Sequence, residues 1–151
     1  MAKSKTDNRQ SGCPVAFTLD LIGDKWSLLI VRDMIFKGRR HFGEFLEANE
    51  KIATNILTDR LKRLEEGRII TKTQDPEHQK KYIYELTQRG IGLIPLMLEI
   101  ILWGTKNDPN TITPKKFFRR LNGDKSGLAR EIVEAIKTQR PAFGVLSNVR
   151  A

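Results

Sequence analysis

The sequence is poor in the residues that build catalytic and metal centres. Among its 151 residues it has one cysteine, Cys13, and two histidines, His41 and His78. A single cysteine excludes an intrachain disulfide and a cysteine-rich zinc site. The two histidines lie far apart in polar segments, and no glycine-rich phosphate loop of a common spacing is present. We therefore expect a protein that is not an enzyme and that uses no cofactor or metal ion.

Long hydrophobic runs are lacking as well. The longest apolar stretch, residues 91–103, is interrupted by Gly92, Pro95 and Glu99 and is shorter than the roughly 20 residues that span a bilayer. Residues 1–12 contain lysines but no apolar segment after them, so they do not resemble a secretory signal. These absences predict a soluble, cytoplasmic protein with no membrane partner.

The charge of the chain is unevenly distributed. Lysine and arginine number 27 against 18 aspartate and glutamate, which gives a formal net charge of +9. Residues 13–104 carry 14 cationic and 13 anionic side chains, whereas residues 105–151 carry 10 and 4. We expect one globular domain at 13–104, a flexible arm at 1–12 and a basic, partly helical extension at 105–151. The surplus suggests an anionic partner such as nucleic acid, although net charge alone indicates only nonspecific attraction.

The spacing of apolar residues predicts several helices in the first half of the chain. Helices are expected at 15–22 and 24–37, followed by a short helical turn at 42–46. The strongest pattern lies at 53–66, before a glycine that ends the helix. The apolar face of this helix consists of three leucines, Leu57, Leu61 and Leu64.

A hairpin and further helices are expected downstream. Two β-branched and aromatic runs, 69–73 and 82–86, flank a polar loop and predict a β-hairpin with a basic tip. Thr87 is expected to cap a long helix that bends at Pro95, because proline has no amide hydrogen to donate. The predicted fold class is mainly α with a small β-hairpin wing (α+β), in the order of a winged helix-turn-helix with helical dimerisation elements.

The side of the 53–66 helix opposite its leucines is polar. At 100° per residue, Asn55, Asp59 and Lys62 lie on this side, with Thr58 at its border. In a winged helix-turn-helix this helix enters the major groove of DNA, where hydrogen-bonding side chains read base edges. The alternative is that the polar side is only solvated, as in many amphipathic helices.

Four segments resemble the HxlR-type winged-helix transcriptional regulators, which belong to the wider MarR-like group. They are CPVAFTLDLIGDKWSLLIVRDMIFKGRRHFGEFL from residue 13, TNILTDRLKRLEEGRII from residue 54, YELTQRG from residue 84 and LIPLMLEIILWG from residue 93. The resemblance covers about residues 13–104 and implies a transcriptional regulator whose partner is double-stranded DNA.

The resemblance also implies which side chains contact DNA. Base edges are assigned to the start and the outer side of the recognition helix: Thr54, Asn55, Thr58, Asp59 and Lys62. Phosphate contacts are assigned to the turn before the short helix, Arg39 and Arg40, and to the wing, Lys80 and Lys81.

Such regulators form homodimers through their first and last helices. A two-fold dimer suits a palindromic operator, because its half-sites lie about 34 Å apart, one turn of the DNA. The implied dimerisation residues lie in the last helix of the domain: Leu93, Leu96, Met97, Ile100, Ile101 and Trp103. The alternative is that these residues close the core of a single chain.

Two features depart from the family pattern. Ala53 stands where the family often has a serine that caps the recognition helix, and alanine offers no side-chain acceptor. The helix is therefore expected either to begin earlier or to use a phosphate as its cap. The chain also continues beyond Gly104, and residues 115–120 alternate lysine and arginine with phenylalanine. This run predicts added nonspecific affinity for DNA.

Cys13 aligns with the cysteine that several such regulators use to sense electrophiles or oxidants. A helix N-terminus favours the reactive thiolate, and oxidation would give a sulfenic acid, a mixed disulfide or a bridge between subunits. The alternative for Cys13 is that its thiol packs as a small hydrophobe. A separate alternative for the signal is a small apolar ligand between the winged domain and the dimerisation helices, near Trp26, Phe36 or Trp103. A different class of function also stays open, in which the same surface binds an acidic protein partner.

Overall fold

The computed structural model describes residues 11–139, which form eight helices and one two-stranded antiparallel sheet. The helices are α1 (Pro14–Ile22), α2 (Lys25–Phe36), α3 (Phe42–Leu46), α4 (Thr54–Glu66), α5 (Gln88–Ile91), α6 (Ile94–Asn107), α7 (Lys115–Gly123) and α8 (Lys125–Lys137). The strands are β1 (Ile70–Gln74) and β2 (Tyr82–Leu86). Residues 1–10 of the predicted arm and 140–151 of the predicted extension lie outside the described residues.

The predicted fold class is confirmed. The chain is mainly helical, and β1 pairs with β2 in the register Ile70↔Leu86 to Gln74↔Tyr82, which makes the wing. α2 packs against α4, and α4 leads directly into the wing. None of the helices in the described part of the chain has the length and apolar character needed to cross a bilayer.

The segment after the wing differs from the single bent helix that the sequence predicted. Thr87 does act as a cap, because its hydroxyl accepts a hydrogen bond from the Gly90 amide at 3.1 Å, but α5 ends at Ile91. A separate helix, α6, then begins at Ile94 with Pro95 in its first turn. A proline there costs no hydrogen bond, because the first amides of a helix have no partner within it. Pro95 therefore starts a helix and does not bend one.

The extension after Gly104 contributes to the same hydrophobic core as the winged domain. α6 continues to Asn107, and α7 and α8 pack against it and against each other. Phe117 is 3% exposed, and its ring meets the edge of Phe36 from α2 at a centroid distance of 6.2 Å. The other fully buried side chains of this region are Leu121, Leu128 and Ile132.

The run at 115–120 is therefore a helix with one side buried. Sequence alternation suggested aromatic rings displayed between cations, but Phe117 faces the core and Phe118 is half-buried. Lys115, Lys116 and Arg119 remain exposed on the outer side of α7. The physical reason is the helical period, which places residues three and four apart on one face and separates the rings from the lysines.

The recognition helix is held to α2 by an ion pair as well as by its leucines. Asp24 caps α2, accepting hydrogen bonds from the Ser27 amide at 3.0 Å and the Ser27 hydroxyl at 2.6 Å. The Nε of Arg60 on α4 donates to the same carboxylate at 2.8 Å. Burial raises the pKa of Asp24, but the hydrogen bonds from Ser27 and Arg60 outweigh it and bring the pKa to about 2.

We expect Phe117→Ala to lower the free energy of unfolding by about 3–5 kcal/mol, because the change leaves a cavity between α7 and α2. Urea denaturation of the full chain measures this change. The control is Ile112→Ala, since Ile112 is 98% exposed and its truncation should have little effect. Equal stability of the two variants would place α7 outside the core.

We expect Asp24→Ala to destabilise the protein by about 2 kcal/mol at neutral pH, because both the cap and the partner of Arg60 are lost. The folded pKa lies below the ordinary 3.8, so the contribution is present above pH 3.8 and is lost as the pH falls towards 2. Urea denaturation of both proteins across this range checks the prediction. Asp20→Ala, an exposed carboxylate on α1, is the control. A deficit that does not change with pH would contradict this role of Asp24.

Candidate nucleic-acid interface

The outer side of α4 presents a continuous polar surface. Leu57, Leu61 and Leu64 are buried beneath it. The exposed side chains are those that the sequence placed there: Thr54, Asn55, Thr58, Asp59 and Lys62. The Thr58 hydroxyl donates to the Thr54 carbonyl at 2.8 Å, which leaves its oxygen able to accept a further hydrogen bond. The side chains meet the steric requirement for reading base edges.

The recognition helix begins at Thr54, with Ala53 as its N-cap. It does not begin earlier, and Ala53 provides no side-chain cap for the first turn. The first hydrogen bond within the helix runs from the Leu57 amide to the Ala53 carbonyl at 2.9 Å. The amides before Leu57 thus form the positive end of the helix dipole, which is compatible with the phosphate cap suggested by the sequence.

Arg60 is a residue of α4 whose positioning role was not predicted from the sequence. It donates to Asp24 on α2 and also contacts the Asp59 carboxylate, so it fixes the rotation of α4 and engages one predicted base-reading residue. A signal was available, because Arg60 lies 60° from Leu57 on the helical wheel, at the edge of the apolar side. A charge at that edge indicates a partner on the neighbouring helix. Arg63, three residues further along α4, is exposed and forms no ion pair among residues 11–139.

The basic turn, formed by Arg39 and Arg40 before α3, is engaged in internal ion pairs. The Arg39 guanidinium donates to the buried carboxylate of Asp33 at 2.9 Å, and its side chain is only 15% exposed. Arg40 pairs with Glu85 on β2, but both side chains are more than a third exposed. Exposed pairs are worth about 0–1 kcal/mol, so a phosphate can compete for Arg40. Arg39 is held more tightly than Arg40, because its partner is buried, and the phosphate contacts of both residues stay predictions.

The wing presents its lysines on an ordered loop. Lys80 and Lys81 are exposed at the tip, and the Lys81 amide donates to the His78 carbonyl at 2.8 Å. Asp75 orders the base of the loop by accepting from the Glu77 amide at 2.9 Å and from a His41 ring nitrogen at 3.2 Å. The hydrogen bond from Glu77, then that from His41, lowers the pKa of the Asp75 carboxyl despite the opposing effect of burial. The loop geometry is therefore held by the domain itself.

The predicted dimerisation residues divide into two groups. Leu96, Ile100 and Trp103 share one side of α6 and are 39%, 42% and 70% exposed. Met97 does not belong to this side, because it is 5% exposed and packs in the core of its own chain. The half-buried members, Leu93 and Ile101, pack against that core. On α1, Val15 and Leu19 form a second exposed apolar strip.

The two candidate signal sites have different surroundings. Cys13 is exposed at the N-cap of α1, so it does not pack as a small hydrophobe. Within residues 11–139, the aromatic residues suggested for an apolar ligand have different surroundings: Phe36 is buried against Phe117, Trp103 is exposed, and the cavity beside Trp26 measures only about 10 Å³. Within residues 11–139, no group of three or more histidine, cysteine or carboxylate side chains is placed to hold a metal ion.

Comparisons with known proteins agree with this geometry. The family described as HxlR-like helix-turn-helix matches residues 21–111. The chain is 38% identical over 86 residues to the uncharacterized HTH-type transcriptional regulator sll1512 of Synechocystis, covering 57% of this chain and 63% of that protein. It is 37% identical over 98 residues to the uncharacterized HTH-type transcriptional regulator YybR of Bacillus subtilis, covering 65% and 78% of the two chains.

Solved structures show the same winged fold. The redox regulator HypR in its oxidized form is 38% identical and superposes with a TM-score of 0.57, over 64% of this chain and 98% of the other. The reduced form of the transcriptional regulator YodB from B. subtilis is 28% identical, with a TM-score of 0.54 over 67% of this chain and all of the other. With its helix-turn-helix, its wing and the family match over most of the winged domain, this chain belongs to the HxlR-like helix-turn-helix family of DNA-binding transcriptional regulators.

Proposed function

We propose that this protein regulates transcription from the cytoplasm by binding a palindromic operator as a homodimer. The observation that carries the proposal is the arrangement of α4. Its leucines are buried and Arg60 ties it to α2, while Asn55, Thr58 and Lys62 face outward. A fixed helix with an exposed hydrogen-bonding side is what readout in the major groove requires.

The exposed apolar strips on α1 and α6 support the homodimer. Large apolar side chains at i, i+4 and i+7 form a continuous stripe, and Leu96, Ile100 and Trp103 have this spacing. A two-fold axis through such a stripe buries it against itself and presents two copies of α4 to DNA. The exposed cations of α7, Lys115, Lys116 and Arg119, are proposed to add nonspecific affinity.

We expect Asn55→Ala and the double variant Lys80→Gln/Lys81→Gln to weaken DNA binding in different ways. Fluorescence anisotropy with the duplex upstream of the protein's own gene, and with a scrambled duplex, measures both at several salt concentrations. Loss of a base contact should cost Asn55→Ala about 5–100-fold on the first duplex and little on the second. Loss of two wing cations should weaken binding to both duplexes alike. It should also reduce the slope of log affinity against log salt concentration by about 2.

Asn122→Ala is the matched control for Asn55→Ala, because Asn122 is an exposed amide on α7, away from α4. Equal losses on both duplexes for Asn55→Ala would remove its role in base readout. Equal affinity of the wild type for the two duplexes would favour the alternative in which the same surface binds an acidic protein partner.

Cys13 is proposed as a redox-sensing residue. It is exposed at the start of α1, whose apolar strip at Val15 and Leu19 lies within two turns of it. A thiol beside a surface that dimerises would couple its modification to the geometry of the two recognition helices. The similarity to HypR, a redox regulator with a structure in the oxidized form, supports this assignment.

We expect diamide with a small thiol to change the DNA affinity of the wild type and not that of Cys13→Ser. Diamide takes two hydrogens, one from the Cys13 thiol and one from the small thiol, and the two sulfurs form a mixed disulfide. The same anisotropy assay, with mass spectrometry of the treated protein, checks both steps. An identical response of Cys13→Ser would remove the thiol from the mechanism, and reversal by excess reductant is the positive control.

A further inference from the structure

A cavity of about 340 Å³ lies where the winged domain meets the last helix of the extension. Its walls come from the end of α2, the strand β2, α5 and the last turn of α8. The apolar part of the lining is Met34, Ile35, Leu86, Ile91 and Ile136. α8 lies beyond residue 111, where the match to the family ends, so this cavity depends on the extension.

The polar part of the lining is predominantly cationic. It contains four cations, Lys37, Arg39, Arg40 and Lys137, and one carboxylate, Glu85. Glu85 pairs with Arg40. Arg39 and Lys37 both contact the carboxylate of Asp33, which also contacts Arg32.

The cationic side chains at the cavity outnumber the carboxylates that pair with them. The lining cations and Arg32 make five positive charges, and the carboxylates that pair with them, Asp33, Glu50 and Glu85, make three negative charges. Within residues 11–139, Lys137 forms no ion pair. The Nζ of Lys37 lies 3.6 Å from the Asp33 carboxylate, which two arginines also contact. These two lysines are the cations best placed to bind a further anion.

We propose that this cavity binds a small amphipathic organic anion, with its apolar body against Leu86, Ile91 and Ile136 and its acidic group between Lys37 and Lys137. The volume lies in the range of small-molecule sites, and an apolar lining with a few charged groups is their usual composition. A neutral apolar ligand would leave the cations of the lining without a partner, and an inorganic anion would leave its apolar side chains without one.

The position of the site connects it to the wing. Arg40 and Glu85 both line the cavity, and the Arg40 carbonyl accepts a hydrogen bond from the Tyr84 amide on β2 at 2.8 Å. An anion in the cavity therefore lies against the contact that joins the basic turn to the wing. The proposal itself does not depend on DNA binding, and its test uses no DNA.

The experiment compares two fluorescent probes on the full chain. Anilinonaphthalenesulfonate has an apolar body and one sulfonate, and phenylnaphthylamine has the same apolar body without the charge. We expect saturable binding of the sulfonate, weakened about tenfold in Lys37→Gln/Lys137→Gln, with weak binding of the neutral probe in both proteins. Lys115→Gln/Lys116→Gln, which removes two exposed lysines from α7, is the matched control and should bind the sulfonate like the wild type.

A second variant tests the cavity without changing charge. Ile136→Trp fills the space beside Leu86 and Ile91 and is expected to abolish binding of the sulfonate, while circular dichroism confirms that the helices remain. Wild-type protein that binds no sulfonate, or binds both probes equally well, would overturn the proposal. So would sulfonate binding that both the lysine variant and Ile136→Trp leave unchanged, since that result would place the probe on the exposed strips of α1 or α6.

Discussion

The carboxylate of Asp33 is the anchor on which the geometry of the DNA-binding unit depends. Its side chain is 3% exposed near the end of α2 and contacts Arg32, Lys37 and Arg39. A buried charge is tolerated only with close partners, so these cations are held in place by the cost of leaving the carboxylate without them. Arg32 extends the network to Glu50, before α4, at 2.6 Å, and Arg40, next to Arg39, contacts the wing. One buried acid thereby connects α2, the approach to the recognition helix and the wing.

The recognition helix is constrained on two sides. Its leucines pack against α2, which sets its depth, and the Arg60–Asp24 pair prevents it from rotating about its own axis. A rotation by one residue would turn the helix by 100° and move Asn55 to the place of Thr54 or of the half-buried Ile56. The polar side of α4 is therefore presented in a single orientation, and the charge on Asp59 is moderated by its contact with Arg60.

Part of the surplus positive charge of the chain lies on helices that are folded onto the core. Much of that charge lies after residue 104, yet α7 and α8 are folded onto the core through Phe117 and Leu128 and do not form a separate polycationic tail within the described residues. The cations of α7 face outward, while Lys137 at the end of α8 lies at a cavity that the winged domain and the extension form together. The same segment thus supplies packing, an exposed basic surface and one wall of a ligand-sized space.

Much of the fold was predictable from local spacing. The leucine period and Gly67 predicted α4 to within one residue of its observed start, the β-branched runs predicted the wing, and the polar side of α4 followed from the helical wheel. Two errors had local causes as well. The sequence predicted a bend at Pro95, because nothing in it shows whether a proline lies in the first turn of a helix or in its interior. The burial of Phe117 was not predicted, because a pair of aromatic residues between cations does not reveal which ring is buried.

The roles of the charged residues were decided by tertiary structure alone. The amino-acid sequence by itself determined the order of the elements, the family and the outward face of the recognition helix, because these follow from periods of two to four residues. It did not determine that Arg39 pairs with the buried Asp33, that Arg60 pairs with Asp24 across 36 positions, or that Arg40 pairs with Glu85 across 45. These ion pairs and the cavity join residues that the folded chain brings together, so local periodicity can indicate that a charged residue such as Arg60 has a partner but does not identify that partner.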